Sequence, residues 1–398
     1  MGQIAIPAVY MRGGTSRALF FHQRDLPPIT TPKDYRPWDP LFLAALGSPD
    51  PNGRQLDGLG GGISSLSKIA VIGPPTHPDA DVDYTFAQVA IGQPVVGYRG
   101  NCGNISAAVG PFALDEGLVK ADGDRATVRI HNTNTGKIIV AHFPVEDGKA
   151  AVNGACAIQG VGGTGAEIEL AFTDLGGATT GKLLPTGKAI DDLNIPPFGR
   201  IQMSLVDAAN PAVFVKAETI GLSGTETPEA LTNNARAMTA FEDIRVAAAV
   251  AMGLVSDPQE ARTKLKNLPI VGILSPPQQT TMSSGDIVQA SQMDLTARMI
   301  SAGQPHKATP LTAAMCLAVA SQIPGTIANQ LSQKPADRSK LRIGHPSGIL
   351  PVDATVRQDG DESIAEEAIV FRTARRLMEG RVLMPISTDE ARLPREMR

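Results

Sequence analysis

Alternation of apolar and polar residues, together with short apolar runs, predicts a chain rich in β-strands. Residues 4–22 give an extended segment, a turn at MRGGTS and an apolar run that ends in ALFF. DVDYTFAQVAI (81–91) alternates and IAVIG (69–73) is apolar and β-branched, and both patterns are typical of strands. Residues 125–172 add three strand patterns, ATVRIHN, KIIVAHFPV and AEIELAF.

Two stretches of small and apolar residues predict helices that follow a polar turn. GNCGNISAAVGPFALDEGLV (100–119) reads as a turn and then a helix that Asn101 or Asn104 could cap. QPHKATPLTAAMCLAVASQI (304–323) repeats this plan weakly in the second half of the chain. Each half therefore predicts a strand-rich body with one central, buried helix.

A glycine- and proline-rich stretch around residues 173–200 divides the two halves, and we expect the domain boundary there. We assign residues 1–185 to an N-terminal domain, 186–385 to a C-terminal domain and 386–398 to a charged tail. In the second half, residues 229–253 predict a long helix.

Composition supports a folded, mixed architecture and argues against a nucleic-acid partner. The 398 residues include 40 Gly and 31 Pro, which implies many tight turns, and 42% hydrophobic residues are ample for real cores. The formal net charge is −4, aromatic residues make up only 4%, and no Lys/Arg block occurs. A nucleic-acid-binding protein normally shows a basic surface and stacking aromatics.

The sequence has none of the signals that direct a chain into a membrane. No apolar run reaches the ~18 residues of a membrane helix, and the N-terminal residues lack the basic segment and apolar core of a signal peptide. Cys102, Cys156 and Cys316 have no CxxC spacing and cannot all pair with one another. We therefore expect a reduced, cytoplasmic protein without a disulfide framework.

Several motif matches fail because of their context. GVGGTG (160–165) fits the dinucleotide pattern GxGxxG, but AEIELAF follows it and alternates like a strand, where that fold needs a helix. GGGISSLSK (60–68) shares only its glycines with a P-loop, and the S-x-x-K string from Ser65 to Lys68 has no K-T-G partner element. The six histidines show no paired ligand spacing. We therefore predict neither a cofactor nor a metal site.

Cys102 is the strongest candidate for a functional side chain on local context alone. It lies in N-C-G-N at the start of the predicted helix, where free amides and the helix dipole favour a thiolate and also bind carboxylates. We interpret Cys156 and Cys316 as small core residues, because Cys316 falls inside an apolar helix.

Lys68 lies between a serine-rich loop and the apolar strand IAVIG. A lysine at such a junction is usually solvated. If it points into a cleft instead, desolvation and nearby positive helix ends make it a usable base.

Together, these segments resemble the PrpF-type methylaconitate isomerases of the diaminopimelate epimerase-like superfamily. As a set the matching stretches are specific, and they extend over nearly the whole chain. They are MRGGTS (11–16), SPDP (48–51), DGLGGGISSLSK (57–68), DVDYTFAQV (81–89), GNCGNISAAVGPFA (100–113), LLPTGK (183–188), PHKATPLTAAMCLA (305–318), IGHPSGI (343–349) and RTARRLMEG (372–380).

The resemblance implies an α/β (α+β) fold of two similar domains, each a curved mixed sheet wrapped around a central helix. It also implies an active site in the cleft between the domains and final strands that cross back to the first domain. The implied catalytic residues are Lys68 and Cys102. The substrate contacts that we expect are Ser16, Ser65, Asn101, Gly103, Asn104, Asn210, His306 and Lys307.

The chain departs from the related proteins at two places. Related epimerases carry a second catalytic cysteine at the matching helix start of the second domain, where this chain reads His306-Lys307-Ala308-Thr309. That difference argues against a two-cysteine racemase. The family often has MRGGTSKG, whereas this chain has Arg17 and Ala18 after the serine, which leaves the substrate's identity open.

The resemblance implies a cofactor-independent isomerase that shifts a C=C bond by 1,3-proton transfer in an unsaturated di- or tricarboxylate, such as 2-methylaconitate or aconitate. Helix N-termini would bind the substrate's anionic groups. Lys68 would carry the proton, and Cys102 would either stabilise the intermediate or act as the second acid or base. The alternatives are a 4-oxalomesaconate tautomerase or a methylitaconate isomerase and, less favoured, an amino-acid epimerase or a non-catalytic accessory protein. The oligomeric state stays open, with a homodimer as one option.

Overall fold

The computed structural model describes residues 3–98, 100–335, 340–360 and 362–385, so the predicted charged tail 386–398 lies outside the described residues. The chain forms two units. The first comprises Met1–Leu170 with Phe371–Arg398, and the second comprises Ala171–Val370. The domain boundary predicted between residues 185 and 186 falls within the second unit and stays a prediction.

Strands account for most of the regular structure. In chain order they are β1 (Gln3–Gly13), β2 (Ser16–His22), β3 (Lys68–Gly73), β4 (Val82–Val89), β5 (Val96–Gly97), β6 (Arg125–Asn132), β7 (Lys137–Glu146), β8 (Lys149–Ala150), β9 (Ile168–Thr173), β10 (Asp191–Ile195), β11 (Gly199–Ala208), β12 (Asn210–Lys216), β13 (Ile270–Ser275), β14 (Thr280–Thr281), β15 (Ile287–Val288), β16 (Leu295–Ser301), β17 (Gln304–Pro305), β18 (Leu341–His345), β19 (Gly348–Asp359), β20 (Glu362–Arg372) and β21 (Ala374–Pro385).

The helices are fewer and mostly short. They are α1 (Asp39–Leu46), α2 (Gly103–Asp115), α3 (Pro228–Thr232), α4 (Ala235–Ala251), α5 (Pro258–Lys264), α6 (Leu311–Gln322) and α7 (Ile327–Leu331), with 3₁₀ helices at Gln23–Asp25, Arg36–Trp38, Ser64–Leu66, Ala217–Ile220 and Ala290–Gln292. None of the helices in the described part of the chain combines the length and the apolar character that a bilayer crossing requires.

The first unit is built on a mixed sheet. β1 and β2, β3 and β4, and β6 and β7 pair antiparallel, whereas β2 with β3 and β4 with β6 pair parallel. The last strand, β21, runs antiparallel beside β1, with Gln3 opposite Pro385 and Gly13 opposite Ala374.

The second unit repeats this pairing order. β11 and β12, β13 and β16, and β18 and β19 pair antiparallel, whereas β12 with β13 and β16 with β18 pair parallel. One helix follows the fourth strand of the repeat in each unit, α2 after β4 and α6 after β16. The repeat confirms the predicted fold class of two similar mixed-sheet domains around a central helix.

The two central helices are buried on all sides. Every residue from 105 to 114 of α2 and from 313 to 321 of α6 is buried. A helix that is apolar all round needs neighbours on every side, and a sheet that curves around it supplies them. This burial explains why both segments are built from small and aliphatic residues.

One predicted helix is interrupted. Residues 229–253 form α3 and α4, because the side chain of Asn234 accepts a hydrogen bond from the Ala237 amide at 3.1 Å and begins a new helix. Residues 364–384, whose sequence fits a helix or strands equally well, form parts of β20 and β21.

Candidate active site

The β1–β2 hairpin lies against the first turn of α2. Gly13 pairs with Ser16 across the hairpin, and a Cβ on Gly13 would stand 2.4 Å from the Asn104 carbonyl oxygen. Only glycine fits so close an approach. Ser16 is the first residue of β2 and is buried, so the predicted substrate contact sits beside the N-terminus of α2.

Lys68 is the first residue of β3 and lies at the same end of the sheet's strands as Ser16, the first residue of β2. β3 runs parallel to β2, with Ile69 opposite Leu19, so the starts of the two strands lie side by side. Lys68 directly precedes Ile69 and is 8% exposed. The structure therefore places the candidate base at the strand ends where the β1–β2 hairpin turns and where α2 begins.

The Lys68 side chain is held by neutral groups. Its Nζ donates to Gln88 Oε1 at 2.5 Å and lies 5.0 Å from the centroid of the Phe86 ring. The Gln88 amide is fixed in turn, because its Nε2 donates to the Ser67 carbonyl at 2.8 Å. Within the described residues Lys68 forms no ion pair with a carboxylate, and its polar partner is the neutral Gln88 amide.

The glycine-rich loop before Lys68 wraps around one buried amide. The Gln55 side chain is 1% exposed; its Nε2 donates to Ser67 Oγ at 2.8 Å and its Oε1 accepts from the Gly62 amide at 3.0 Å. A Cβ on Gly60 would stand 2.3 Å from the Gln55 carboxamide, which explains a glycine there. Ser65 is half-buried in the same loop, and its predicted substrate contact stays a prediction.

Helix α2 begins without a side-chain cap. Cys102 is the N-cap residue, with φ −112° and ψ 97°, and no side chain bonds the amides that follow it. The prediction that Asn101 or Asn104 caps the helix is wrong: Asn101 Oδ1 accepts from the Ser106 hydroxyl at 3.1 Å, and Asn104 lies within the first turn.

The first amides of α2 are available to a ligand. The first hydrogen bond inside the helix runs from the Ser106 amide to the Cys102 carbonyl at 2.9 Å. The amides of Gly103, Asn104 and Ile105 have no acceptor within the described residues. Such free N–H groups, at the positive end of the helix dipole, form a site for an anion.

Tyr84 is a buried phenol close enough to Cys102 for charge on that thiol to affect it. It is fully buried, and its hydroxyl has no hydrogen-bond partner within the described residues. Burial raises the pKa of Tyr84 well above its usual value, and negative charge on Cys102 raises it further. Tyr84 was not predicted as a site residue, although it falls in the family-like stretch DVDYTFAQV.

Arg372 is a buried cation at the start of α2. Its Nε donates to Asn104 Oδ1 at 3.1 Å and its Nη1 to the Phe371 carbonyl at 2.8 Å. Burial lowers the pKa of Arg372 to about 10, against the opposing effect of charge on Cys156, so it stays protonated at neutral pH. No carboxylate of the described residues forms an ion pair with it. Sequence reasoning missed this residue, because the pattern of 364–384 did not separate buried from exposed arginines.

The two remaining cysteines differ in their surroundings. Cys316 is buried, its thiol lies 3.5 Å from the Val206 carbonyl, and burial raises the pKa of the thiol to about 12, which confirms a core residue. The same prediction is wrong for Cys156, which is half-buried. Cys156 exchanges backbone hydrogen bonds with Gly165 at 3.0 Å in a glycine-rich loop rather than packing in a core.

In the second unit, Asn210 occupies the repeat position that Ser16 occupies in the first. Each is the first residue of the second strand of its hairpin, β12 and β2 respectively. Asn210 Nδ2 donates to Thr312 Oγ1 in the first turn of α6 at 2.9 Å. Asn210 thus contacts the start of its own unit's central helix, and its predicted role in substrate binding stays a prediction.

His306 and Lys307 lie in the turn before α6. His306 Nδ1 accepts a hydrogen bond from the Ala308 amide at 3.0 Å, which shapes this turn. The N-cap of α6 is Pro310, and its first turn lacks a side-chain cap, as in α2. Substrate contacts from His306 and Lys307 stay predictions.

Around the start of α2, the first unit therefore has a buried amine (Lys68), a thiol (Cys102), free helix amides and a buried guanidinium (Arg372). Amides and guanidinium bind carboxylates, and the amine and thiol can exchange protons. The described residues hold no group of three or more His, Cys, Asp or Glu side chains that could bind a metal ion. The donor set is suited to an anion whose carbon atoms lose and gain protons.

Comparison with known proteins gives matches over nearly the whole chain. A family model described as "PrpF protein" matches residues 3–385. The chain is 46% identical over 381 residues to a 3-methylitaconate isomerase from Eubacterium barkeri, covering 96% of this chain and 97% of the relative. It is 42% identical over 391 residues to a 2-methyl-aconitate isomerase from Cupriavidus necator, covering 96% and 98%. A crystal structure of a methylitaconate-delta-isomerase superposes with a TM-score of 0.89 at 45% identity, covering 96% of each chain.

Proposed function

The chain belongs to the PrpF family and is an isomerase, and we propose that it shifts a carbon–carbon double bond in an unsaturated di- or tricarboxylate by moving a proton between two carbon atoms. The relatives named above are isomerases of 3-methylitaconate and 2-methylaconitate, which are substrates of this kind. The observation that carries the proposal is the burial of the Lys68 amine beside a neutral partner, at the end of β3 that lies near the start of α2.

In the proposed reaction, one substrate carboxylate binds to the free amides of Gly103 and Asn104 and to Arg372. Neutral Lys68 removes a proton from the carbon next to the double bond. The electrons delocalise into a dienolate, whose negative charge grows on the carboxylates that these donors hold. The same proton carrier, or Cys102, then returns a proton two carbons away. Donors that are already in place stabilise such charge without reorganisation.

Ser16 contributes a buried hydroxyl at the strand ends that lie beside the start of α2. We assign Ser16 to substrate orientation, together with Ser65 and Asn101 of the same unit. Cys102 is either the second acid or base or a stabiliser of the intermediate. The chain needs no cofactor in this scheme, because the protons move between carbon and side chains alone.

We also propose that the enzyme works in the cytoplasm on a free small-molecule polycarboxylate. Cys102, Cys156 and Cys316 form no disulfide with one another, which fits a reducing compartment.

A substrate screen tests the proposed function. Purified enzyme is incubated separately with 2-methylaconitate, 3-methylitaconate, cis- and trans-aconitate and 4-oxalomesaconate, and the alkene protons are followed by NMR. We expect one or more of these acids to be converted to an isomer with a shifted double bond. Turnover of an amino acid in a parallel racemisation assay, with none of the five acids converted, would overturn the proposal in favour of an epimerase.

Replacing Arg372 with glutamine is expected to raise KM by about 10- to 100-fold, because hydrogen bonds to a charged group contribute about 1.5–3 kcal/mol. Steady-state kinetics on the substrate found in the screen measure the effect. The matched control is Arg125→Gln, which removes an exposed arginine of the same unit and should leave KM unchanged. An unchanged KM in folded Arg372→Gln would exclude Arg372 from substrate binding.

Activity is expected to survive exhaustive treatment with EDTA and to require no added nucleotide or pyridoxal compound. The reason is that the proposed donors and proton carriers are all side chains and amides of this chain. Rates before and after chelation and dialysis provide the measurement. Loss of activity on chelation, with recovery when a metal ion is returned, would contradict this scheme.

A further inference from the structure

Three arginines stand in a row across three neighbouring strands of the first unit. Arg17 on β2 lies opposite Arg12 on β1, and Arg12 lies opposite Arg375 on β21. Residues directly opposite one another project from the same face of a sheet. Like charges in that arrangement repel, and the pKa of Arg12 is lowered, first by burial and then by the charge on Arg375.

Nothing in the described residues neutralises this row. Arg12 Nη1 donates only to backbone carbonyls, those of Gly14 at 2.9 Å and Thr373 at 3.0 Å. The Arg17 guanidinium lies 5.5 Å from the Tyr10 ring centroid. None of the three arginines forms an ion pair with a carboxylate of the described residues. Three adjacent positive charges without a counter-charge are costly unless something else supplies it.

The row lines a cavity of about 550 Å³, which lies in the size range of ligand pockets. No described residue that lines it is acidic. The loop Gly162-Gly163-Thr164-Gly165 also lines it, and this loop belongs to the GVGGTG stretch that has the letters of a dinucleotide motif but is followed by a strand pattern. A loop of this composition lets a ligand approach the backbone closely.

The cavity lies on the opposite face of the sheet from the candidate active site. Side chains alternate along a strand, and Gly13 packs against α2, so the neighbouring Arg12 points to the other face. Ser16 and Arg17 alternate in the same way. A substrate bound as proposed beside Cys102 would lie on the other face of the sheet, so a ligand of this cavity would be a separate molecule.

We propose that this cavity is a second binding site, which takes a small multivalent oxyanion. A guanidinium pairs with carboxylate or phosphate oxygens through two parallel hydrogen bonds. Neighbouring strands are about 4.8 Å apart, so the outer arginines of the row are separated by about 10 Å at their backbones. That spread suits an anion with several charged groups, either a tricarboxylate or a pyrophosphate, rather than a single halide.

Isothermal titration calorimetry on the full chain tests the site, with pyrophosphate and tricarballylate titrated separately. The test variant is Arg17→Gln/Arg375→Gln, since neither side chain bonds the backbone of the described residues. The matched control is Arg24→Gln/Arg125→Gln, which removes the same charge from exposed positions of the same unit. Single Arg375→Gln, an exposed position, serves if the double variant does not fold.

For at least one of the two anions, we expect the wild type and the control to bind one equivalent more per chain than the test variant. The affinity of the anion for this additional site should fall at least about 100-fold in Arg17→Gln/Arg375→Gln and about tenfold in Arg375→Gln. Binding of pyrophosphate alone assigns a phosphate ligand, and binding of tricarballylate alone assigns a polycarboxylate. No such equivalent in the wild type, or an equal loss in the control, would overturn the proposal. Because turnover is not measured, the outcome is independent of the proposed isomerisation.

Discussion

Lys68→Met should lower kcat by about 10³- to 10⁴-fold, the contribution of a well-placed general base. Methionine nearly matches lysine in length and tolerates the burial of this position, so the protein should fold, while the amine that removes the proton is lost. Steady-state turnover of the substrate found in the screen measures the effect. Near-wild-type turnover in the folded variant would show that Lys68 is not the base.

Lys68→Arg separates a base from a simple cation. Arginine keeps the positive charge and can still donate to Gln88 Oε1, but a guanidinium does not give up its proton in proteins. If Lys68 acts as the base, this variant should be as inactive as the methionine variant. If Lys68 only attracted a carboxylate, the arginine variant would retain most of the activity.

Cys102→Ser is expected to lower kcat by about 10²- to 10⁴-fold while substrate affinity changes little. Serine preserves the free amides of α2, which hold the substrate carboxylate, but a hydroxyl is far less acidic than a thiol. Cys316→Ala, in the core of the second unit, is the control and should turn over normally. A small loss of kcat, with continued proton exchange at the donor carbon, would leave Cys102 a stabilising role and assign both transfers to Lys68.

Alkylation gives an independent view of the same thiol. Iodoacetamide should modify Cys102 before Cys316, whose burial raises the pKa of its thiol to about 12. A bound tricarboxylate should protect Cys102 by occupying the adjacent amides. Peptide mapping that finds Cys102 inert, or reactive but unprotected, would show that the thiol does not face the substrate.

The local pattern predicted the parts of the fold that depend on local physics. Alternation in 81–91 predicted β4, and a polar turn followed by small and apolar residues in 100–119 predicted the buried helix α2. The polar N-C-G-N turn directly before the apolar residues predicted that the helix begins near Cys102, and Cys102 is the N-cap residue of α2. The absence of a side-chain cap was not predictable. Asn101 Oδ1 accepts a hydrogen bond from the Ser106 hydroxyl instead of a helix amide, and Ser106 comes close to it only in the folded helix.

Features that depend on distant pairing were not accessible from the sequence. Arg372 is buried because β20 ends beside the first turn of α2, and Arg12 faces Arg375 because β21 returns to β1. Nothing near these arginines in sequence indicates either neighbour. Cys156 was misassigned for a related reason: the glycines around it form a loop whose position is set by pairing with Gly165.

The most direct test of proton transfer by Lys68 is the isotopic content of the product formed in D₂O. A neutral lysine amine carries two exchangeable hydrogens, both deuterium in D₂O, and the proton taken from carbon becomes the third on a freely rotating ammonium. We therefore expect both hydrogen and deuterium at the carbon that gains a hydrogen, with about two-thirds deuterium as the statistical share before any isotope preference in the transfer, measured by NMR on product from a single turnover. A product that carries only hydrogen at that carbon would contradict proton transfer through Lys68.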